Sequence, residues 1–259
     1  MTIEQILQNT MREAQSIFKG KSHNISYYDI NILPKEKRKP YTEKEMERRV
    51  NSFRKLQEEL LIIRYSSEKI YNELISERSR NLVGNCFFLS IFVLQHFIKT
   101  YKQRLCQLFY PPDIDLSKLT SLLSLQLIVT NKPYNHVFVL ICPPSYILPQ
   151  RTIGEKYNPN EFPKGAWVCD PWANIVCPAH DYNNAWKFRM AEWNAKGKTV
   201  LIERTKTKYN ENLNYSPLGF YNYMAIQESK KNIDEIIILY PDGKTKTKNS
   251  HSSSICNLI

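Results

Sequence analysis

His136-Val137-Phe138-Val139-Leu140-Ile141 is where the hydrophobic period of the chain changes. Upstream of it, apolar residues recur at spacings of three and four, the period of a helix face. From His136 onward they come in short unbroken runs, the pattern of strands covered on both sides. Helices lead and strands follow, so the predicted class is α+β, with a buried helix packed on an antiparallel sheet.

Upstream, residues 2–18 place Ile3, Ile6, Leu7, Met11, Ala14 and Ile17 on one helical stripe. A turn-rich segment ends in the basic run Lys35-Glu36-Lys37-Arg38-Lys39-Pro40. Thr42, with Glu45 three residues on, reads as a capping box. It opens a predicted long helix to about Ser76, along Met46, Val50, Phe53, Leu56, Leu60 and Ile63. Residues 1–80 are therefore expected to form a helical extension, and no catalytic constellation stands in them. Gly84-Asn85-Cys86 then precedes a helix running toward Phe109, apolar on all sides and so buried. A further helix is expected from Leu116 to Gln126.

Downstream, a proline-rich loop from Pro143 to Lys164 leads to a second strand, Ala166 to Cys169, which ends at Asp170-Pro171. Thr199 to Glu203, Gly219 to Gln227 and Ile233 to Tyr240 are the remaining strand candidates. Residues 81–241 make the expected catalytic body. Residues 242–259 have no apolar period and are expected to form a flexible basic tail.

Composition narrows the function classes. The chain has 259 residues, 42% of them hydrophobic, enough for one large core. With only 7 glycines it holds neither GxxxxGK[ST] nor GxGxxG, which argues against nucleotide-driven chemistry. The net charge of +11 invites a nucleic-acid reading, but basic and acidic residues interleave between Glu36 and Glu77 as on a solvated helix face. No zinc finger, RNP motif or arginine-rich segment accompanies the charge, so no specific nucleic acid is expected. The 6 cysteines include no CxxC pair, so neither a structural zinc nor another metal or cofactor is expected. No signal peptide or membrane-spanning run is found, and the cysteines read as reduced thiols.

Cys86 stands at a helix start, where unpaired amides and the helix dipole stabilise a thiolate. His136 opens a strand and can lean toward that helix end. Asp170 closes the next strand and can hold the imidazole by its second nitrogen. Each has a plainer reading: a small core residue, a structural histidine, a turn opener. The three together suit one mechanism. His96, inside the buried helix, His180, in a loop, and Cys169, aimed opposite Asp170 by strand alternation, fit it less well.

Gly84-Asn85-Cys86, His136 before its strand, and Trp167-Val168-Cys169-Asp170-Pro171 resemble the transglutaminase-like branch of the papain-like superfamily, in which the chain order is Cys, His, Asp. The same order is found in papain-like protease and deamidase effectors that bacterial pathogens inject into host cells. The resemblance covers roughly residues 81–180. It implies a cysteine-dependent hydrolase or acyl-transfer enzyme acting on amides of a host protein: a protease, a glutamine deamidase or a transglutaminase. It departs from papain-type members in lacking a glutamine before the cysteine, so Asn81 or Asn85 is left as the oxyanion-hole candidate beside the Cys86 amide.

The chain ends Cys256-Asn257-Leu258-Ile259, which matches a C-terminal prenylation box. Lys244, Lys246 and Lys248 upstream supply the basic second signal for an anionic membrane. An effector so equipped would use a host prenyltransferase to reach host membranes. The rival reading is a non-enzymatic, membrane-associated adaptor on a papain-like scaffold.

Overall fold

The computed structural model describes residues 1–61, 66–78, 81–159, 161–202 and 213–249. Its helices are α1 (Ile3–Ile17), α2 (Lys35–Arg38), α3 (Glu43–Leu61), α4 (Ser67–Ser76), α5 (Cys86–His96), α6 (Lys102–Phe109), α7 (Tyr182–Ala195), α8 (Phe220–Tyr223) and α9 (Ala225–Glu228). Its strands are β1 (Ile25–Tyr27), β2 (Leu123–Thr130), β3 (Val137–Cys142), β4 (Lys156–Tyr157), β5 (Trp167–Asp170), β6 (Ile175–Pro178), β7 (Lys198–Ile202), β8 (Leu213–Tyr215), β9 (Lys231–Leu239) and β10 (Thr245–Asn249). The class is α+β. None of the described helices is long and apolar enough to cross a membrane.

The main sheet runs β10-β9-β2-β3-β5-β6, with β4 added on β9, and all its pairings are antiparallel. Strand alternation divides its side chains between two cores. Leu123, Leu125, Leu127, Val137, Val139 and Ile141 pack with α5 and α1, whereas Ile128, Phe138, Leu140 and Val168 pack with α7 and α9. A helix covered on every side needs no polar face, and all of Phe87 to Gln95 is buried. Ser90 Oγ donates to the Val137 carbonyl at 3.0 Å, fixing α5 along β3.

The helix expected over residues 86–109 is interrupted by a π-turn at Phe97–Tyr101. The helix expected from Leu116 to Gln126 does not form. A single 3-10 turn, Leu116–Lys118, precedes β2, whose Leu123, Leu125 and Leu127 face one core and Ile128 the other. The short apolar run satisfied a helical spacing as well as a strand one, and burial on both faces decided it. Gly219 to Gln227 is likewise not a strand: Ser216 accepts from the Gly219 amide in a turn, and the two short helices α8 and α9 follow.

The tail expectation also changes. Thr245–Asn249 form an edge strand on β9, with Lys246 and Lys248 exposed two residues apart on one face, while Glu203 and residues 250–259 lie outside the described residues. The capping box forms at Thr2 and Gln5 instead of Thr42 and Glu45. Thr42 Oγ1 donates back to Lys39, and Glu45 pairs with Arg48 at 2.8 Å.

Residues 1–80 share the first core: Ile6, Leu7, Phe53, Leu56 and Leu74 join α5 and the sheet there. The turn-rich segment after α1 contains β1, paired with β7. Just before it, Gly20 N donates to the Leu82 carbonyl at 2.9 Å and Gly84 N donates to Lys21 at 3.3 Å. A Cβ on Gly20 would lie 2.3 Å from the Asn81 carbonyl oxygen, too close for any side chain. Gly84 is required for packing as well: its Cβ would lie 2.6 Å from the Phe18 ring. Gly20→Ala is therefore expected to destabilise the chain by about 1–3 kcal/mol, the usual cost of overpacking. Urea unfolding checks this, and a midpoint equal to the wild type would contradict the close approach.

Candidate active site

Asn85 caps α5. Its side-chain oxygen accepts from Phe88 N at 3.0 Å, a bond worth about 1 kcal/mol, and its extended backbone delivers Cys86 as the first helical residue. Cys86 is partly exposed, with its amide in the helix turn that has no intrahelical acceptors. Burial pushes the Cys106 thiol up, Cys142 and Cys177 up to about 12, and Cys169 well above its ordinary value.

His136 is set by the β2–β3 connection. Its amide donates to Thr130 Oγ1 at 2.7 Å and its carbonyl accepts from Thr130 N at 2.9 Å. Antiparallel pairing of β3 with β5, Val139 opposite Cys169, brings the start of one strand to the end of the other. His136 Nε2 consequently meets Asp170 Oδ2 at 2.8 Å, with both side chains buried. The Cys86 side chain lies close enough to the ring to act on its charge. With Nε2 held by Asp170, Nδ1 is the nitrogen left for the thiol.

The Asp170 carboxylate is fully engaged. Oδ1 accepts from Trp172 N and Ala173 N, each at 3.1 Å, and Oδ2 also accepts from Tyr182 Oη at 2.9 Å. Rings enclose the imidazole, with Trp186 at 4.7 Å and Trp172 at 5.3 Å between centroids. Trp172 is itself anchored, its Nε1 donating to Asn24 Oδ1 at 3.0 Å and Ser22 Oγ at 3.2 Å. Burial alone would lower the His136 pKa, but the Asp170 carboxylate and Cys86 outweigh it and raise it to about 10. The ring is thus held as an imidazolium at neutral pH, beside a thiol at a helix N-terminus. That arrangement can carry a nucleophilic thiolate and a proton donor together.

Cys86, His136 and Asp170, expected together from the sequence, come together. Asn85 stands beside them as the helix cap. Asn81 is exposed, and the fold uses its backbone carbonyl, packed against Gly20. The rival groups are elsewhere: His96 stacks on Phe92 and bonds Tyr71 Oη at 3.1 Å, His180 is exposed beside Asp181, and the Cys169 thiol points to the Leu7 carbonyl. Cys256 lies outside the described residues. Sequence reasoning missed Tyr182, Trp172 and Trp186. The signal for α7 was present, since Tyr182, Trp186, Met190 and Trp193 recur at four, four and three and form its buried face.

No protein-family model, curated protein or solved structure matches the chain.

Because the folded His136 pKa is raised above its unfolded value of about 6.5, the pair stabilises the fold fully below that value. The contribution is lost as pH rises through the folded value near 10. An NMR titration of the imidazole is expected to show no His136 transition near neutrality, and Asp170→Asn is expected to bring the transition down. A wild-type midpoint near 6.5 would contradict the ion pair.

Proposed function

We propose that Cys86, His136 and Asp170 are the nucleophile, acid–base and orienting group of a papain-like, transglutaminase-like thiol enzyme acting on amides of a protein substrate. The observation that carries the reading is a partly exposed thiol at a helix N-terminus, close to an imidazole whose Nε2 is fixed at 2.8 Å by a saturated, buried carboxylate. A structural histidine needs a partner for its polar atoms. It does not need a thiol beside the ring as well as a four-fold bonded carboxylate on Nε2.

In this mechanism Cys86 Sγ, as thiolate, attacks the amide carbon, and the carbonyl π pair moves onto oxygen. The Cys86 amide, at the N-terminus of α5, is one donor for that oxyanion, and Asn85 Nδ2 is the side-chain candidate for a second. Collapse of the intermediate breaks the C–N bond, and the His136 imidazolium gives its proton to the leaving nitrogen. A thioester on Cys86 remains. Water, deprotonated by His136, then releases the acid and the thiol; a lysine amine in place of water gives a cross-link. The product is a cut peptide, a deamidated glutamine or an isopeptide, according to the amide and the acceptor.

The substrate in this proposal is a host protein reached by a bacterial effector. The Cys256-Asn257-Leu258-Ile259 ending would receive a prenyl thioether from a host enzyme, with exposed Lys244, Lys246 and Lys248 facing the anionic membrane. A fluorescent fusion in eukaryotic cells is expected to move from membranes to cytosol on Cys256→Ser. An unchanged distribution would remove the lipid from the proposal.

The chemistry has its own test. At mildly acidic pH, iodoacetamide is expected to alkylate Cys86 at least tenfold faster than Cys106, Cys142, Cys169 or Cys177, since the thiolate is the reacting form. His136→Ala is expected to abolish that difference. Slow labelling of Cys86, alike in both chains, would favour the adaptor reading on the same scaffold.

A further inference from the structure

Next to the segments that carry Cys86 and His136 stand two lysines, Lys21 and Lys198, that the proposed chemistry leaves unused. Lys21 is exposed and immediately precedes Ser22, which bridges to Gly84 and accepts from the Trp172 indole. Lys21 Nζ lies 5.0 Å from the centre of the Tyr41 ring, and the Arg49 guanidinium lies 4.9 Å from the same ring. Arg49 is buried, so it contributes field rather than contact. Tyr41 meets Tyr27 edge-on at 4.6 Å, and Tyr27 is the register partner of Lys198. Lys198 Nζ sits 4.9 Å over Trp193, which packs at 5.0 Å on Trp172, the indole beside His136.

The nearby acids are already engaged. Glu192 pairs with Arg189 at 2.6 Å and Lys196 at 2.5 Å, and Glu45 pairs with Arg48. The Lys198 amine is pushed down by burial first, then by Lys196 and Arg189, while Glu192 raises it and Lys21 adds the weakest lowering. An anion bound between Lys21 and Lys198 would gain from both.

We infer that Lys21 and Lys198, backed by Arg49, recruit an acidic segment of the substrate protein, whose carboxylates flank the amide presented to Cys86. The inference rests on the thiol-enzyme reading. The same charge would attract a nucleic acid, but a nucleic acid offers no peptide or glutamine amide to the thiolate, so an acidic polypeptide is the ligand that suits both features.

The full chain can be tested without knowing the substrate, by comparing Cys86 alkylation by anionic iodoacetate and neutral iodoacetamide. The His136 imidazolium alone favours iodoacetate, so the change in the rate ratio is what reads the patch. Lys21→Gln/Lys198→Gln is expected to lower the ratio about three- to fivefold at low ionic strength, an effect that shrinks at about 0.5 M salt as screening shortens. Lys21→Gln alone, at an exposed position, is expected to give roughly half of it on a free-energy scale. Removing two distant charges, by Lys118→Gln/Lys244→Gln, is expected to leave the ratio in place. An acetylated hexaglutamate amide is expected to protect Cys86 from iodoacetamide in the wild type and much less in Lys21→Gln/Lys198→Gln. Rapid alkylation whose ratio ignores both lysines overturns the patch and spares the enzyme reading, whereas slow reaction with both reagents overturns the enzyme. Protection by oligothymidylate in place of the acidic peptide would also overturn the substrate class.

Discussion

The buried carboxylate of Asp170 is the constraint on which the site depends. An ion taken out of water costs several kcal/mol unless its lone pairs are met, and Asp170 has no solvent exposure. Its four hydrogen bonds come from three places: the turn that follows it, the strand that His136 opens, and the first residue of α7. No one of these segments satisfies the charge alone. The carboxylate therefore fixes the relative position of β3, β5 and α7, and the imidazole is oriented by the same bonds that make the burial tolerable.

The two-core sheet explains where such a charge can sit. α5 occupies one face and α7 the other, so a group at the strand ends meets residues from both layers. Trp172 packs against both cores, and its indole nitrogen reaches Ser22 and Asn24. The Cys86 thiol arrives from the α5 layer, the Tyr182 hydroxyl from the α7 layer, and His136 and Asp170 from the sheet between them. Burial raises the Tyr182 phenol well above its ordinary value, with Asp170 adding to the effect, so the hydroxyl keeps its proton for donation.

Local signals made much of this legible. The helix from Cys86 and the strand from His136 were readable because total burial leaves an unbroken apolar run. Antiparallel neighbours put the start of one strand beside the end of the next, which is why His136 and Asp170 could be grouped, while Cys86 was singled out by its place at a helix start. What escaped were elements whose state is decided by partners. Leu123–Thr130 is as leucine-rich as a helix and becomes a strand because β3 and β9 flank it. Thr245–Asn249 is polar throughout, and its order comes from backbone pairing with β9, which composition does not report. The α7 stripe is aromatic and widely spaced, with Lys187, Arg189 and Glu192 between its members, so its low overall hydropathy hid a deeply buried face.

The N-terminal segment bears on the chemistry more directly than its lack of catalytic residues suggests. Gly20, Lys21 and Ser22 are bonded or bridged to Leu82 and Gly84, the residues that lead into Cys86. Ser22 and Asn24 also hold the Trp172 indole, two residues after the acid. One short strap thus touches the loop before Cys86 and the loop after Asp170, and β1 continues from it into the pairing with β7. A thiol–imidazole pair works only when its two halves keep hydrogen-bond distance, and they come from different layers. Loosening the strap would free both loops together without touching Cys86, His136 or Asp170. Residues 18–24 are for this reason part of the site's framework, and the helices that carry them are tied to the geometry at Cys86.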